Sequence, residues 1–224
     1  MLVKLGRRDE RAGDAGLSEG ADSGYTLVEL IVSMSILAFL IAIFMAAITQ
    51  EYKNTVRTQA VSTSADETLR TMNRLDHTIR YAGAVNRPVE VGTNWYLEYQ
   101  TTATLNGAQP VCTQWKFDST ADTVAYRTWT VTGGAVTPTP FITTSTHVVN
   151  NPATQQPFTF LPADPVYTKQ RVVVWLIVQN SRGNGAQIQS TFTALNTSTA
   201  TVTNPDLDSN GVSDTQVCQE AGRP

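Results

Sequence analysis

An uninterrupted apolar run is the strongest pattern in this chain. It occupies residues 30–48 (LIVSMSILAFLIAIFMAAI) and contains no charged residue, Pro or Gly. A helix of about 20 such residues, rising 1.5 Å per residue, crosses the ~30 Å hydrocarbon core of a bilayer. One carboxylate, Glu29, stands at the start of the run. A charge in hydrocarbon costs about 2–4 kcal/mol even on lenient scales, so Glu29 needs a compensating partner.

After this run the apolar residues recur mostly at three- and four-residue spacing, with one step of five. This spacing is typical of one face of an amphipathic helix, and Gly83 and Pro88 predict where that helix stops. We therefore expect one helix from about residue 25 to residue 82, with its second half packed on a globular body. The predicted stripe consists of Tyr52, Val56, Ala60, Ala65, Leu69, Met72, Leu75 and Ile79.

From residue 90 onwards the pattern favours β-strands. Alternating or β-branched segments predict strands at residues 95–99, 111–117, 123–131, 158–161, 171–179 and 188–195. The continuous apolar run at 171–178 predicts a central strand buried on both faces. Residues 181–185 predict a turn into the last strand, and 132–140 a loop. The expected fold class is α+β, a long N-terminal helix packed on an antiparallel β-sheet head.

Composition narrows the function classes. The 224 residues suffice for one soluble domain plus an anchor. Charged residues make up 16% of the chain and the net charge is −3, which argues against a broad basic face for nucleic acid. No His/Cys cluster has metal-ligand spacing, and no nucleophile elbow or phosphate loop occurs, so we do not expect an enzyme. A secretory signal peptide would have a shorter apolar core of ~7–15 residues after a basic region, whereas this leader is of mixed charge.

The sequence Gly24-Tyr25-Thr26-Leu27-Val28-Glu29, followed by the apolar run, resembles the type IV prepilin signature, with Tyr25 where Phe is usual. The resemblance implies that a prepilin peptidase cleaves between Gly24 and Tyr25 and N-methylates Tyr25. It also implies a cytoplasmic leader (1–24), a transmembrane and filament-core helix (25–50), an amphipathic helix (51–83) and an extracytoplasmic β-rich head (84–224). The implied partners are other pilins or pseudopilins, the membrane and an inner-membrane assembly platform, and no direct nucleic acid is expected.

The register of the signature offers a partner for Glu29. Cleavage after Gly24 would create a cationic amine on Tyr25, and Glu29 lies four residues further on, which is same-face spacing in a helix. In a medium of low dielectric constant such a pair is stronger than in water. We expect Glu29 to set assembly register by pairing with its own Tyr25 amine or with that of a neighbour. The competing interpretation is a plain membrane anchor that tolerates Glu29 at the interface.

Further resemblances concern the type of subunit. The head is larger than the resemblance implies for a major pilin. Residues 80–83 (RYAG) and 191–196 (TFTALN) are similar to segments of J-type minor pseudopilins and W-type minor pilins. They imply a minor subunit that initiates or caps a type IV pilus or a type II secretion-like filament. The alternative is a membrane-anchored extracytoplasmic binding module that does not polymerise and is calcium-dependent.

The basis for calcium is an acidic loop, residues 206–214. Oxygen-bearing residues at alternating positions before a glycine resemble the start of a calcium loop. The predicted ligands are Asp206, Asp208, Asn210, the carbonyl of Val212, and Asp214. The twelfth loop position is Val217 rather than a bidentate Glu, and a solvated turn rich in Asp and Asn is the alternative.

Two cysteines, Cys112 and Cys218, both follow the apolar run. In an extracytoplasmic space we expect them to form a disulfide that pins the C-terminal segment to an early strand, worth about 2–5 kcal/mol. Two separate buried thiols are the alternative.

Overall fold

The computed structural model describes residues 24–102, 109–134, 136–179 and 185–224. The chain divides into two compact units, Met1–Glu51 and Tyr52–Pro224. In these described ranges helix α1 comes first and nine strands follow it. The elements are α1 (Leu27–Ile79), β1 (Ala82–Val85), β2 (Val89–Val91), β3 (Asn94–Thr101), β4 (Val111–Asp118), β5 (Thr123–Thr130), β6 (Ile142–Thr146), β7 (Phe158–Leu161), β8 (Arg171–Gln179) and β9 (Gly185–Thr193).

In the first unit, every described residue from 24 to 51 is exposed. The most apolar 18-residue window of α1 has a mean hydropathy of 2.7, so by length and composition the helix can span a membrane. Its hydroxyls are satisfied within the helix. Ser33, Ser35 and Thr49 donate to the backbone oxygens of Glu29, Ile31 and Met45 at 2.7, 2.8 and 2.8 Å. These hydroxyls therefore add no unsatisfied donor to the apolar segment.

In the second unit, α1 buries a stripe that only partly matches the predicted one. Met72, Leu75 and Ile79 are buried as expected, whereas Leu69 is 51% exposed. Its place is taken by Thr68 and Thr71, each with no exposed surface. Both hydroxyls donate to the helix backbone four residues earlier, so their burial leaves no donor unsatisfied.

The helix ends at Ile79, three residues before the predicted stop, because the chain enters β1 at Ala82. Gly83 lies within this strand, at an irregularity in the pairing of β1 with β3. A Cβ atom at Gly83 would lie 3.0 Å from Cγ2 of Thr102. Gly83 therefore lets the Thr102 side chain lie close to the backbone of β1, and it does not cap the helix.

The head contains two antiparallel sheets where the pattern predicted one. The large sheet has the order β1-β3-β4-β5-β6, with β2 also paired to β3, and the small sheet has the order β7-β8-β9. A single hydrophobic cluster joins α1 to both sheets, with Leu75, Trp115 and Val174 among its members. The predicted α+β class, a long apolar helix with antiparallel strands, is confirmed.

The six predicted strands correspond to β3, β4, β5, β7, β8 and β9, and the strands that the pattern missed are short. Strand β8 is central in the small sheet, but the prediction that both its faces are buried is wrong. Val172, Val174, Leu176 and Val178 are buried, whereas the alternate residues are half-exposed. The reason is that only one face packs on the core. The predicted turn lies largely outside the described residues, but the pairing of Gln179 with Gly185 confirms the hairpin.

Polar contacts join α1 to the large sheet. The Tyr99 hydroxyl accepts a hydrogen bond from Trp115 Nε1 at 2.9 Å and also bonds to the Thr78 hydroxyl. Burial raises the pKa of Tyr99 to about 12. Arg74 Nη1 donates to the Tyr126 hydroxyl at 2.6 Å. These contacts satisfy polar groups inside an otherwise apolar interface, and they fix the helix on the sheet.

Candidate functional site

The N-terminal motif, residues 24–29, contains the start of α1. Residues 24–26 are not helical, the helix begins at Leu27, and Tyr25 is 83% exposed. The Thr26 hydroxyl accepts a hydrogen bond from the Glu29 N–H at 3.2 Å, and Leu30 N–H donates to the Thr26 carbonyl at 3.1 Å. Thr26 is therefore the N-cap of the helix. The sequence interpretation missed this role, although Thr-x-x-Glu ahead of an apolar run is a known N-terminal signature.

Glu29 lies in the first turn of the helix and is exposed. The positive end of the helix dipole favours an acid there, but it supplies only a fraction of a charge. Within the described residues no donor is hydrogen-bonded to the Glu29 carboxylate. The chain is continuous through Gly24 and Tyr25, so the pairing of Glu29 with a Tyr25 amine stays a prediction.

The acidic loop, residues 206–214, brings three of its predicted ligands together. Carboxylate oxygens of Asp206, Asp208 and Asp214 lie within 4.8 Å of one another. Asp206 accepts hydrogen bonds from the backbone N–H groups of Asn210 and Gly211, at 3.0 and 3.2 Å. Gly211 has φ +81°, which favours glycine and lets the loop turn back. Three of the five predicted ligands thus lie close together, and calcium binding at this loop stays a prediction.

Two neighbours affect how this loop could hold a cation. Arg87 Nε lies 3.6 Å from Asp206 Oδ2 and already supplies positive charge. At the twelfth position, the Val217 carbonyl accepts a hydrogen bond from Asn86 Nδ2 at 2.7 Å. The predicted ligands are all oxygen atoms, which suits calcium. Arg87, however, partly balances the negative charge of the loop, and the Val217 carbonyl is already hydrogen-bonded to Asn86.

The structure contains the predicted disulfide between Cys112 and Cys218. Their sulfurs are 2.00 Å apart, their Cα atoms are 5.5 Å apart, and the cysteines are 106 residues apart in the sequence. Both are buried in a small hydrophobic cluster with Trp129. The bridge ties the tail segment, residues 216–224, to strand β4.

A polar row, Glu98, Gln114 and Arg127, underlies the tail segment on the large sheet. These residues are direct neighbours on β3, β4 and β5 and are 2%, 0% and 7% exposed. Gln114 Nε2 donates to Glu98 Oε1 at 2.7 Å, and Arg127 Nε donates to Gln114 Oε1 at 2.7 Å. Burial lowers the pKa of Arg127, mainly through desolvation. The row is thus a connected network inside the head.

The tail segment completes this network. Arg223 donates to both oxygens of Glu98, from Nε at 2.9 Å and from Nη2 at 2.7 Å. Gln114 and Arg127 each donate to the Gly222 carbonyl at 2.9 Å. The sequence interpretation missed these contacts. Their function is structural, because the tail segment covers the outer face of the sheet and satisfies its buried polar groups.

Comparison with known proteins addresses the N-terminal motif. Residues 21–45 match the family model described as the prokaryotic N-terminal methylation motif. No curated protein and no solved structure matches the chain. The family match supports a prepilin-type protein and a type IV pilin-like subunit. Proteins with this motif are structural rather than enzymatic, and the motif implies processing by a prepilin peptidase and assembly with other pilins. The motif and the apolar helix together fit a single-pass membrane-anchored protein.

Proposed function

We propose that this chain is a minor pilin or pseudopilin that initiates or caps a type IV pilus or a type II secretion-like filament. The observation that carries the proposal is the fixed register of the N-terminal motif. The Gly24–Tyr25 bond, the acid Glu29 and a membrane-length helix follow one another without a gap. The family match over residues 21–45 supports the same register.

The first unit has the properties that such a subunit needs. The Gly24–Tyr25 bond lies outside the helix, and the Tyr25 side chain is open to solvent. Helix residues 27–51 are exposed on every side, so apolar side chains are available to lipid before assembly and to neighbouring helices afterwards. In the proposed orientation the leader is cytoplasmic, the head is extracytoplasmic, and the inner-membrane platform transfers the subunit into the filament or its tip.

Support for a minor subunit comes from the head. The two short segments similar to J-type pseudopilins and W-type pilins, residues 80–83 and 191–196, contact each other. Leu195 N–H donates to the Arg80 carbonyl at 3.0 Å, and Asn196 Nδ2 donates to the Tyr81 carbonyl at 3.1 Å. The two segments, more than a hundred residues apart in the sequence, thus lie together at the C-terminal end of α1.

Processing at Gly24–Tyr25 is the experiment that tests the proposal. When the full chain is co-expressed with a prepilin peptidase, we expect its intact mass to fall by the mass of the leader, residues 1–24. The new terminus should be Tyr25 and should carry a methyl group. Co-expression with an inactivated peptidase should leave the mass unchanged. An unprocessed chain in the presence of active peptidase would contradict the proposal and favour the membrane-anchored binding module.

The acidic loop supports a second candidate function, calcium binding by the extracytoplasmic head. The observation in its favour is the convergence of the Asp206, Asp208 and Asp214 carboxylates. Together with Asn210 and the Val212 carbonyl they would provide hard oxygen ligands, and calcium would order the loop by neutralising its charge.

Calorimetric titration of the full chain in detergent tests the calcium site. We expect binding in the range of about 0.1–1 mM, as in extracellular calcium modules, and its loss in Asp208→Ala. Asp164→Ala is the matched control, because Asp164 also accepts backbone hydrogen bonds in an exposed loop. The absence of calcium-dependent heat at millimolar concentration would reject the site.

A further inference from the structure

The hydroxyl of Thr26 determines where the helix starts relative to the bond that the proposed peptidase cleaves. It accepts the hydrogen bond from the Glu29 N–H, one of the first-turn donors that have no partner within the helix. Residues 24–26 are accordingly non-helical, and they include the Gly24–Tyr25 bond. A peptide bond inside a helix is inaccessible to a peptidase, because the backbone groups around it are hydrogen-bonded within the helix. A peptidase must bind its substrate as a non-helical segment.

We propose that Thr26 is a positioning residue for cleavage. Its hydroxyl fixes the helix start at Leu27 and so holds Gly24–Tyr25 outside the helix, accessible to the peptidase. This inference rests on the proposed function, because it assumes that the Gly24–Tyr25 bond is processed. It goes beyond that function because it makes the accessibility of the Gly24–Tyr25 bond depend on the side chain of Thr26, the residue after the bond.

The sequence contains a competing helix start. Asp22 and Ser23 precede Gly24, and both residue types are good N-caps. A helix capped at Ser23 would include Gly24 and Tyr25 in its first turn. The Gly24–Tyr25 bond would then be less accessible to the peptidase. When the Thr26 hydroxyl is removed, the Glu29 N–H loses its acceptor at the start of an apolar segment, where an unsatisfied donor is costly. The helix can regain an acceptor for this group by starting earlier, so the loss should shift the equilibrium towards the upstream start.

Cleavage kinetics test the proposal directly. The full chain is reconstituted in lipid vesicles with purified prepilin peptidase, and the cleaved fraction is followed by intact mass. We expect Thr26→Val, which keeps the shape and removes the hydroxyl, to lower kcat/KM for cleavage about fivefold, the size of a typical N-cap effect. Thr26→Ser should restore the wild-type rate. Thr49→Val is the matched control and should cleave normally, because the hydroxyl that it removes donates to the Met45 carbonyl, far along the helix from its start.

A second measurement separates positioning from direct contact with the peptidase. Carbon chemical shifts of Gly24 and Tyr25 in the uncleaved chain in detergent should be non-helical in wild type and in Thr26→Ser. They should move towards helical values in Thr26→Val. Wild-type cleavage of Thr26→Val would overturn the proposal, as would slow cleavage without the change in shifts. A wild-type chain that is never cleaved would reject the proposed function itself.

Discussion

Replacing Arg223 by Met should lower the free energy of unfolding of the head by about 3 kcal/mol. Arg223 is the charged partner of Glu98, whose side chain is only 1% exposed, and the two form a bidentate pair. Without Arg223 the Glu98 carboxylate keeps only neutral donors, from Asn86 and Gln114. Arg127 is linked to Glu98 only through Gln114, so the buried carboxylate loses its directly bonded counter-charge, which costs several kcal/mol. We place the effect at the lower end of that range because the Arg223 side chain is 20% exposed and water can partly replace it.

Denaturant unfolding of the full chain in detergent, followed by Trp fluorescence, measures this effect, since all four Trp residues lie in the second unit. In a chain that also carries Glu98→Leu, the same Arg223→Met change should have a much smaller effect, because the buried carboxylate that Arg223 compensates is gone. Arg80→Met is the matched control. The Arg80–Asp76 pair is exposed on both sides and its loss should leave the unfolding midpoint nearly unchanged. Equal effects of Arg223→Met and Arg80→Met would show that Glu98 does not depend on its partner.

The elements that could be predicted from sequence are those with a local signal. The apolar run, the strand periodicity and the hairpin between β8 and β9 follow from spacing within a few residues. The errors occurred where long-range packing decides. Leu69 is exposed although it is apolar, because the helix turns Thr68 and Thr71 towards the sheets. Gly83 was assigned to a helix stop, but it lies in β1 because the chain pairs with β3.

The same distinction applies to the functional residues. The N-terminal motif is contiguous, so the sequence alone indicated a prepilin-type motif, which the family match at residues 21–45 supports. Cleavage between Gly24 and Tyr25 and the role of Glu29 stay predictions. The acidic loop is also contiguous, so its spacing indicated candidate calcium ligands, of which three carboxylates lie close together. The contact between Glu98 and Arg223 was not predictable, because 125 residues separate them and neither lies in a motif. The Cys112–Cys218 pairing was predictable at a similar separation only because the chain contains two cysteines.

The charge of Glu29 should be needed for assembly and not for membrane insertion. We expect Glu29→Gln to lower incorporation into filaments about tenfold, the effect of losing a charge-assisted hydrogen bond in a medium of low dielectric constant. The physical reason is that a carboxylate can pair with a Tyr25 amine, its own or that of a neighbour, whereas an amide carries no charge. The level of the uncleaved chain in the membrane should stay the same or rise, because an uncharged side chain is inserted at lower cost.

Quantification of the chain in sheared filaments and in membranes measures the two effects separately. Glu29→Asp keeps the charge on a shorter side chain and should retain part of the incorporation. Glu51→Gln is the matched control, because it neutralises an exposed acid near the other end of the apolar run and should assemble as wild type. If Glu29→Gln were incorporated at the wild-type rate, the carboxylate would have no part in assembly register. Glu29 would then be an acid tolerated at the membrane surface, and the first-turn dipole of α1 would be sufficient to explain its position.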